Sequence, residues 1–105
     1  MDLAARFGRN LARCRKKTGL SQEALGVRAS LHRTAVGELE RGERIARIDT
    51  LVKLAGALSV PPGDLLEGLV WKPGEMLAGR FTVGDGGDEA DDANQAGRGS
   101  PTRSA

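Results

Sequence analysis

Through the first two thirds of the sequence, apolar residues recur at spacings of three and four, in short segments that end at glycine, serine or proline. Such spacing places side chains on one face of an α-helix, whereas a half-buried strand requires strict alternation. Helices this short are not stable alone in water. The pattern therefore predicts several short helices that pack around one shared core.

Capping and stop signals divide this region into five predicted helices. Asp2 and Ser21 are suited to accept hydrogen bonds at the start of the first and second helices. Gly19 and Gly42 follow the first and third helices, where a left-handed backbone stop favours glycine. The predicted helices span residues 3–18, 22–29, 33–41, 48–58 and 63–69.

The core of this bundle must be built mainly from aliphatic side chains. Among its 105 residues the chain has two phenylalanines, one tryptophan and no tyrosine. We expect the inward positions to include Leu11, Cys14, Val36, Leu39, Leu51, Leu54, Leu58, Leu65 and Leu66. No apolar run approaches the roughly 20 residues of a membrane span. Since the N-terminus also lacks a signal-like apolar stretch, we expect a cytoplasmic protein.

Catalytic and metal chemistry have little support among the residues. Cys14 and His32 are the single cysteine and histidine, and a structural zinc site needs about four such ligands. The sequence has no glycine- and lysine-containing phosphate loop and no second cysteine or histidine to complete a nucleophile pair. We expect neither an enzyme nor a bound cofactor or metal.

Charge is distributed unevenly along the chain. Residues 1–69 hold 12 basic and 8 acidic side chains, whereas residues 70–105 hold 4 and 6. A basic N-terminal part favours a polyanionic partner such as nucleic acid, although an ordinary solvated helix surface would carry the same charges.

The C-terminal third divides into two parts. Residues 70–83 contain strand-forming sequence around Trp71 and Phe81, with the turn signal Pro73-Gly74 between them. An isolated pair of strands is marginal in water, so this extension needs a surface, either its own bundle or a second copy of the chain. Residues 84–105 have no apolar side chain larger than alanine. We expect them to form a disordered tail.

Two of the predicted helices carry a helix-turn-helix pattern, in residues 20–26 and 31–42. Such helices must approach closely, and Gly26 provides a small residue where helix three would cross. We expect the wedge between them to contain Ala29, Leu31, Val36 and Leu39. The exposed positions of helix three are then Arg33, Thr34, Ala35, Gly37 and Glu38, which are free to face a groove of DNA.

These residues resemble the Cro/cI-type (Xre-like) helix-turn-helix regulators. The most specific matches are Leu20-Ser21-Gln22-Glu23-Ala24-Leu25, Glu38-Leu39-Glu40-Arg41-Gly42, and residues 49–60. The resemblance covers residues 3–69. It implies an all-α, five-helix, lambda-repressor-like domain over residues 1–69 that binds double-stranded DNA as a sequence-specific regulator.

The resemblance also implies roles for single residues. Gln22 would bond a phosphate and brace helix three, and His32 would touch phosphate at the start of that helix. Base-reading positions match Arg33, Thr34, Ala35 and Glu38. The family's structural ion pair matches Arg15 and Glu40.

Some assignments stay open at this stage. Arg33 would bond guanine, or it would be a solvated side chain beside Glu38. Glu38 would accept from cytosine, or it would hold Arg33 or Arg41 in place. Arg41, Arg44 and Arg47 would contact phosphates, or they would be the charged side chains of a solvated loop.

The chain departs from the family pattern at several positions. His32, Arg47 and Pro61 stand where serine or threonine caps are common, so we expect these helix starts to be less well tied down. Gly37 lies inside a helix, where glycine costs about 1 kcal/mol relative to alanine. Its presence suggests a close approach of DNA to the backbone, or a helix partly ordered by DNA.

The leading functional prediction is a repressor that acts as a homodimer, because two half-sites require two reading helices. Residues 70–83 would form the dimerisation hairpin through Trp71 and Phe81, since tryptophan is enriched at interfaces. One alternative is an antitoxin-type protein that neutralises a partner through residues 69–83 while controlling its own promoter. Another is an assembly module that does not bind DNA.

Overall fold

The structure, a computed structural model, describes residues 2–84. They fall into two compact units, one ending at Glu67 and the other beginning at Gly68. Most of the predicted tail, residues 84–105, lies outside the described residues. Among residues 2–84, no helix has the length and apolar character that crossing a membrane would require.

The first unit consists of five helices, which confirms the predicted fold class. They are α1 (Leu3–Thr18), α2 (Gln22–Ala29), α3 (Arg33–Glu40), α4 (Ile48–Leu58) and α5 (Pro62–Leu65). Each helix contributes one fully buried leucine to the centre of the unit: Leu11, Leu25, Leu39, Leu54 and Leu65. The aliphatic core expected from the composition is therefore present.

The predicted helix boundaries arise from the caps that the sequence suggested. The Asp2 carboxylate accepts from the Ala5 amide at 2.8 Å, and the Ser21 hydroxyl accepts from the Ala24 amide at 3.0 Å. Gly19 and Gly42 adopt positive φ angles of 77° and 73° after α1 and α3. Both glycines therefore act as the predicted stops.

Helix α5 is shorter than the predicted 63–69. It ends at Leu65 because the chain turns at Gly68, whose φ is 85°, and then enters a strand at Leu69. The prediction that Leu66 points inward is wrong, since a single turn of helix buries only Leu65 and leaves Leu66 exposed.

A buried polar residue that the sequence did not reveal fixes this end of the bundle. Asn10 is fully buried in α1, and its Nδ2 donates to the carbonyl oxygens of Leu65 and Glu67 at 3.0 and 2.9 Å. These bonds satisfy carbonyl groups that a helix end leaves unpaired. They attach the end of α5 to the middle of α1.

The second unit is an antiparallel hairpin of β1 (Leu69–Lys72) and β2 (Arg80–Val83). Trp71 lies opposite Phe81, with ring centroids 5.0 Å apart in an edge-to-face arrangement. Because side chains alternate along a strand, one face carries Leu69, Trp71, Phe81 and Val83. The predicted strand character of both segments is confirmed, and the hairpin has one apolar face.

Candidate nucleic-acid interface

The turn between α2 and α3 is tight because Gly26 has no side chain. A Cβ at Gly26 would lie 2.6 Å from the Leu31 carbonyl oxygen and 3.4 Å from the Arg33 amide nitrogen. The Leu31 amide in turn donates to the Gly26 carbonyl at 2.8 Å. Gly26 therefore lies against the backbone of the turn and the first residue of α3, where the motif requires a small residue.

The start of α3 is better fixed than its sequence suggested. His32 Nδ1 accepts a hydrogen bond from the Thr34 amide at 3.3 Å, so a histidine serves as the cap. The expectation of a loosely held start is wrong at this helix. At α4 and α5, Arg47 and Pro61 make no side-chain capping bond.

The first turn of α3 presents its side chains outward. Arg33 and Thr34 are exposed, and Ala35 is half-buried. One turn further along, Val36 and Leu39 are buried against the rest of the bundle. The face predicted to read bases is thus the solvent-facing side of a helix whose other side is part of the core.

A partly buried ion pair braces this helix. Arg15 Nε and Nη2 donate to the two carboxylate oxygens of Glu40 at 2.6 and 3.0 Å, and Arg15 Nη1 donates to the Leu20 carbonyl at 2.9 Å. Gln22 Nε2 donates to the same carboxylate at 2.9 Å. Donation of hydrogen bonds to the Glu40 carboxylate raises the pKa of Arg15, and burial of the guanidinium opposes that shift.

This network joins three helices at one carboxylate. Arg15 belongs to α1, Gln22 begins α2 and Glu40 ends α3. The arrangement fixes the far end of α3 relative to the first turn of α2, and His32 fixes the near end. The structure thus brings together Arg15, Gln22 and Glu40, as the resemblance implied for the ion pair and the brace.

Each predicted DNA-contacting arginine lies beside a carboxylate. Arg41 pairs with Glu43 at 2.8 Å, Arg44 with Glu38 at 2.9 Å, Arg47 with Asp49 at 3.4 Å and Arg33 with Glu23 at 3.8 Å. Glu38 therefore holds Arg44, rather than the Arg33 or Arg41 that the sequence suggested. The mutual hydrogen bond raises the pKa of Arg41 and lowers the pKa of Glu43.

Gly37 is buried, so its predicted exposure is wrong. A Cβ at this position would lie 3.0 Å from Arg41 Nη1 and 3.6 Å from Gln22 Oε1. The neighbour that needs the space is a side chain of this protein, the guanidinium of Arg41. No sequence pattern indicates this, because it depends on how a long side chain folds back.

Cys14 is buried in α1, as expected for a small apolar group of that helix. Within the part of the chain that the structure describes, no three His, Cys, Asp or Glu residues cluster as a metal site would require.

Comparison with known proteins shows which family this chain belongs to. Residues 11–65 match the family described as "Helix-turn-helix", which is more than half of the chain. The chain belongs to the Cro/cI-type helix-turn-helix family. This is a family of DNA-binding transcriptional regulators, not of enzymes.

Relatives in this helix-turn-helix family include regulators from restriction-modification systems and phages. Control protein C.BamHI of Bacillus amyloliquefaciens is 40% identical over 62 residues, which is 58% of this chain and 76% of that protein. The restriction-modification controller protein C.AhdI from Aeromonas hydrophila has 40% identity and a TM-score of 0.58, over 59% of this chain and 94% of that structure.

A repressor structure determined with DNA is also similar. The P22 c2 repressor, in complex with synthetic operator 9T, has 32% identity and a TM-score of 0.56, over 59% of this chain and 94% of that chain. The family match ends at residue 65. The hairpin of β1 and β2 lies beyond the matched residues.

Proposed function

We propose that this chain is a sequence-specific regulator that acts in the cytoplasm as a dimeric repressor and reads the major groove of an operator with α3. The main support for the proposal is that the first turn of α3 faces solvent, while His32 fixes the start of the helix and the Glu40 network fixes its end. The similarity to the P22 c2 repressor supports repression.

The chemistry of the exposed turn suits base reading. A major groove about 12 Å wide admits one α-helix, whose N-terminal residues reach the base edges. Arg33 would bond guanine bidentately, and Thr34 and Ala35 would contact thymine methyl groups. Glu38 would accept from a cytosine amino group only after releasing Arg44, which it holds at 2.9 Å.

Contacts to phosphate would come from the rim of this surface. Gln22 and His32 lie at the starts of α2 and α3, and Arg41, Arg44 and Arg47 follow α3. The three arginines are exposed in their ion pairs. Exposed pairs contribute about 0–1 kcal/mol, so a phosphate can replace the carboxylate at little cost.

The loop arginines provide the first test. Replacing Arg44 or Arg47 with alanine should weaken binding about equally for all DNA sequences, because phosphates carry no sequence information. Removal of one phosphate contact should reduce the slope of log affinity against log salt by about one unit. Titration of a random-sequence 30-base-pair duplex, followed by fluorescence anisotropy at several salt concentrations, measures both effects.

Arg13→Ala is the matched control for these variants. Arg13 is an exposed arginine in an ion pair, 2.7 Å from Glu67, but it lies on α1, outside the proposed interface. Its removal should leave the slope nearly unchanged. Slopes that stay at the wild-type value in both loop variants would remove this loop from the interface.

Dimerisation is proposed to use the apolar face of the hairpin. Trp71 and Phe81 are each about half exposed, and large exposed aromatics are typical of interfaces. Trp71→Ala or Phe81→Ala should lower the dimer fraction in sedimentation velocity and weaken binding to a two-half-site duplex. Val70→Ala truncates an apolar residue on the opposite face and should do neither. A Trp71→Ala variant that remains dimeric argues against this interface.

The same exposed aromatic pair favours a second candidate, an antitoxin-type protein whose hairpin binds a partner protein. In that case, alanine at Trp71 would change neither the oligomeric state nor DNA affinity. The third candidate, a module used only for assembly, predicts no salt-dependent DNA affinity at all.

A further inference from the structure

Gly37 is a buried glycine in the middle of α3, a position where most helices carry a side chain. Its φ angle is not positive, so no backbone conformation requires glycine here. The structural reason must lie in the space that a side chain would occupy.

That space borders the guanidinium of Arg41. An ideal Cβ at Gly37 would lie 3.0 Å from Arg41 Nη1 and 3.7 Å from Arg41 Cζ. The planar group thus lies against the helix backbone in the gap left by the missing side chain. Gln22 Oε1, 3.6 Å from the same ideal Cβ, borders the gap from α2.

The opposite edge of the guanidinium is held by Glu43. Arg41 Nε donates to Oε2 at 2.8 Å and Nη2 donates to Oε1 at 3.2 Å. Arg41 Nη1 makes no hydrogen bond to any of the described residues. The side chain remains 57% exposed, so the held group still presents donors to a ligand.

We propose that Gly37 is a positioning residue for DNA binding: its missing side chain provides the seat that places the Arg41 guanidinium beside Gln22, ready for one backbone phosphate. This inference rests on the proposed function, in which Arg41 and Gln22 contact phosphate. A long side chain held in its binding conformation loses less freedom on binding, which increases affinity without adding a contact.

Gly37→Ala tests this proposal, because alanine should stabilise α3 but displace the Arg41 guanidinium from its position for the phosphate. Alanine is the better helix former, and the nearest neighbours of the new methyl group would be the side-chain ends of Arg41 and Gln22 rather than backbone, so the fold should persist. We expect a higher thermal midpoint, together with about three- to tenfold weaker binding to a random-sequence 30-base-pair duplex. The salt slope should become shallower.

Gly56→Ala is the matched control. Gly56 is exposed in α4, and a Cβ there would meet nothing within 4 Å. This variant should also raise the thermal midpoint, but its DNA affinity should equal that of the wild type. A purely structural role for Gly37 would make the two variants behave alike, which would overturn the proposal.

Combining Gly37→Ala with Arg41→Ala separates this inference from the proposed function. If the seat acts through Arg41, Gly37→Ala should weaken binding in the wild type and have no further effect when Arg41 is alanine. If Arg41→Ala weakens binding but Gly37→Ala does not, or if the two effects add, the seat is refuted and the phosphate contact stands. If Arg41→Ala changes neither affinity nor slope, both the contact and the seat are refuted.

Arg41→Lys gives a second test that leaves α3 unchanged. Lysine keeps the charge but has no planar group to lie in the gap. Gly37→Ala should therefore have no effect on affinity in the Arg41→Lys background. An equal loss in both backgrounds would show that the alanine acts through something other than the guanidinium.

Discussion

Replacing Arg15 with alanine should lower the free energy of unfolding by about 3–5 kcal/mol, because it leaves the Glu40 carboxylate buried without its main partner. The two side chains are only 13% and 7% exposed, so solvent compensates the remaining carboxylate only in part. The Leu20 carbonyl would also lose its donor. Small domains have a total stability of about 5–15 kcal/mol. Urea denaturation followed by circular dichroism should therefore show a much lower midpoint.

Arg44→Ala is the control for this stability prediction. Arg44 and Glu38 are nearly as close as Arg15 and Glu40, at 2.9 Å, but their side chains are 53% and 34% exposed. Exposed ion pairs contribute about 0–1 kcal/mol. If Arg15→Ala cost no more than Arg44→Ala, Glu40 would not depend on Arg15 and the brace on α3 would be wrongly assigned.

Arg33→Ala should weaken binding to the preferred operator by about 1–3 kcal/mol, or roughly 5- to 150-fold, and relax discrimination at one base pair in each half-site. Arg33 is the one long hydrogen-bond donor in the first turn of α3. Its ion pair with Glu23 is exposed and 3.8 Å long, so little is lost when a guanine replaces the carboxylate. Competition binding with single-base operator variants measures the discrimination.

Arg33→Lys separates base reading from simple charge attraction. Lysine keeps the positive charge but cannot bond guanine with a planar fork. We therefore expect near wild-type affinity for random-sequence DNA and reduced discrimination at the same base pair. If Arg33→Ala instead weakened binding to every sequence by the same factor, Arg33 would be a phosphate contact.

The sequence predicted the helices where local signals were strong. The bounds of α2 and α4 agree with the prediction, and α3 ends one residue earlier than predicted. The end of α5 could not be found in this way, because it depends on the turn at Gly68 and on bonds from Asn10 in a distant helix. Such long-range contacts leave no periodic pattern.

The site was predicted less completely than the fold. Family resemblance pointed to the pairing of Arg15 with Glu40, which spacing alone does not indicate. The carboxylate partners of the arginines depend on rotamers of exposed side chains, so the sequence does not indicate that Glu43 pairs with Arg41 or that Glu38 pairs with Arg44. Gly37 was misplaced on the surface because its neighbour, Arg41, reaches it only by folding back along the helix.

Selection of bound duplexes from a random-sequence DNA pool tests most directly the central claim that two copies of α3 read base sequence. The account predicts enrichment of a two-fold symmetric motif whose half-site centres are about 10 base pairs, or 34–36 Å, apart. Selection with Arg33→Ala should lose the preference at one base pair in each half-site. If the DNA selected with the wild-type protein shows no enrichment over the starting pool, or an enriched motif without two-fold symmetry, the account is contradicted.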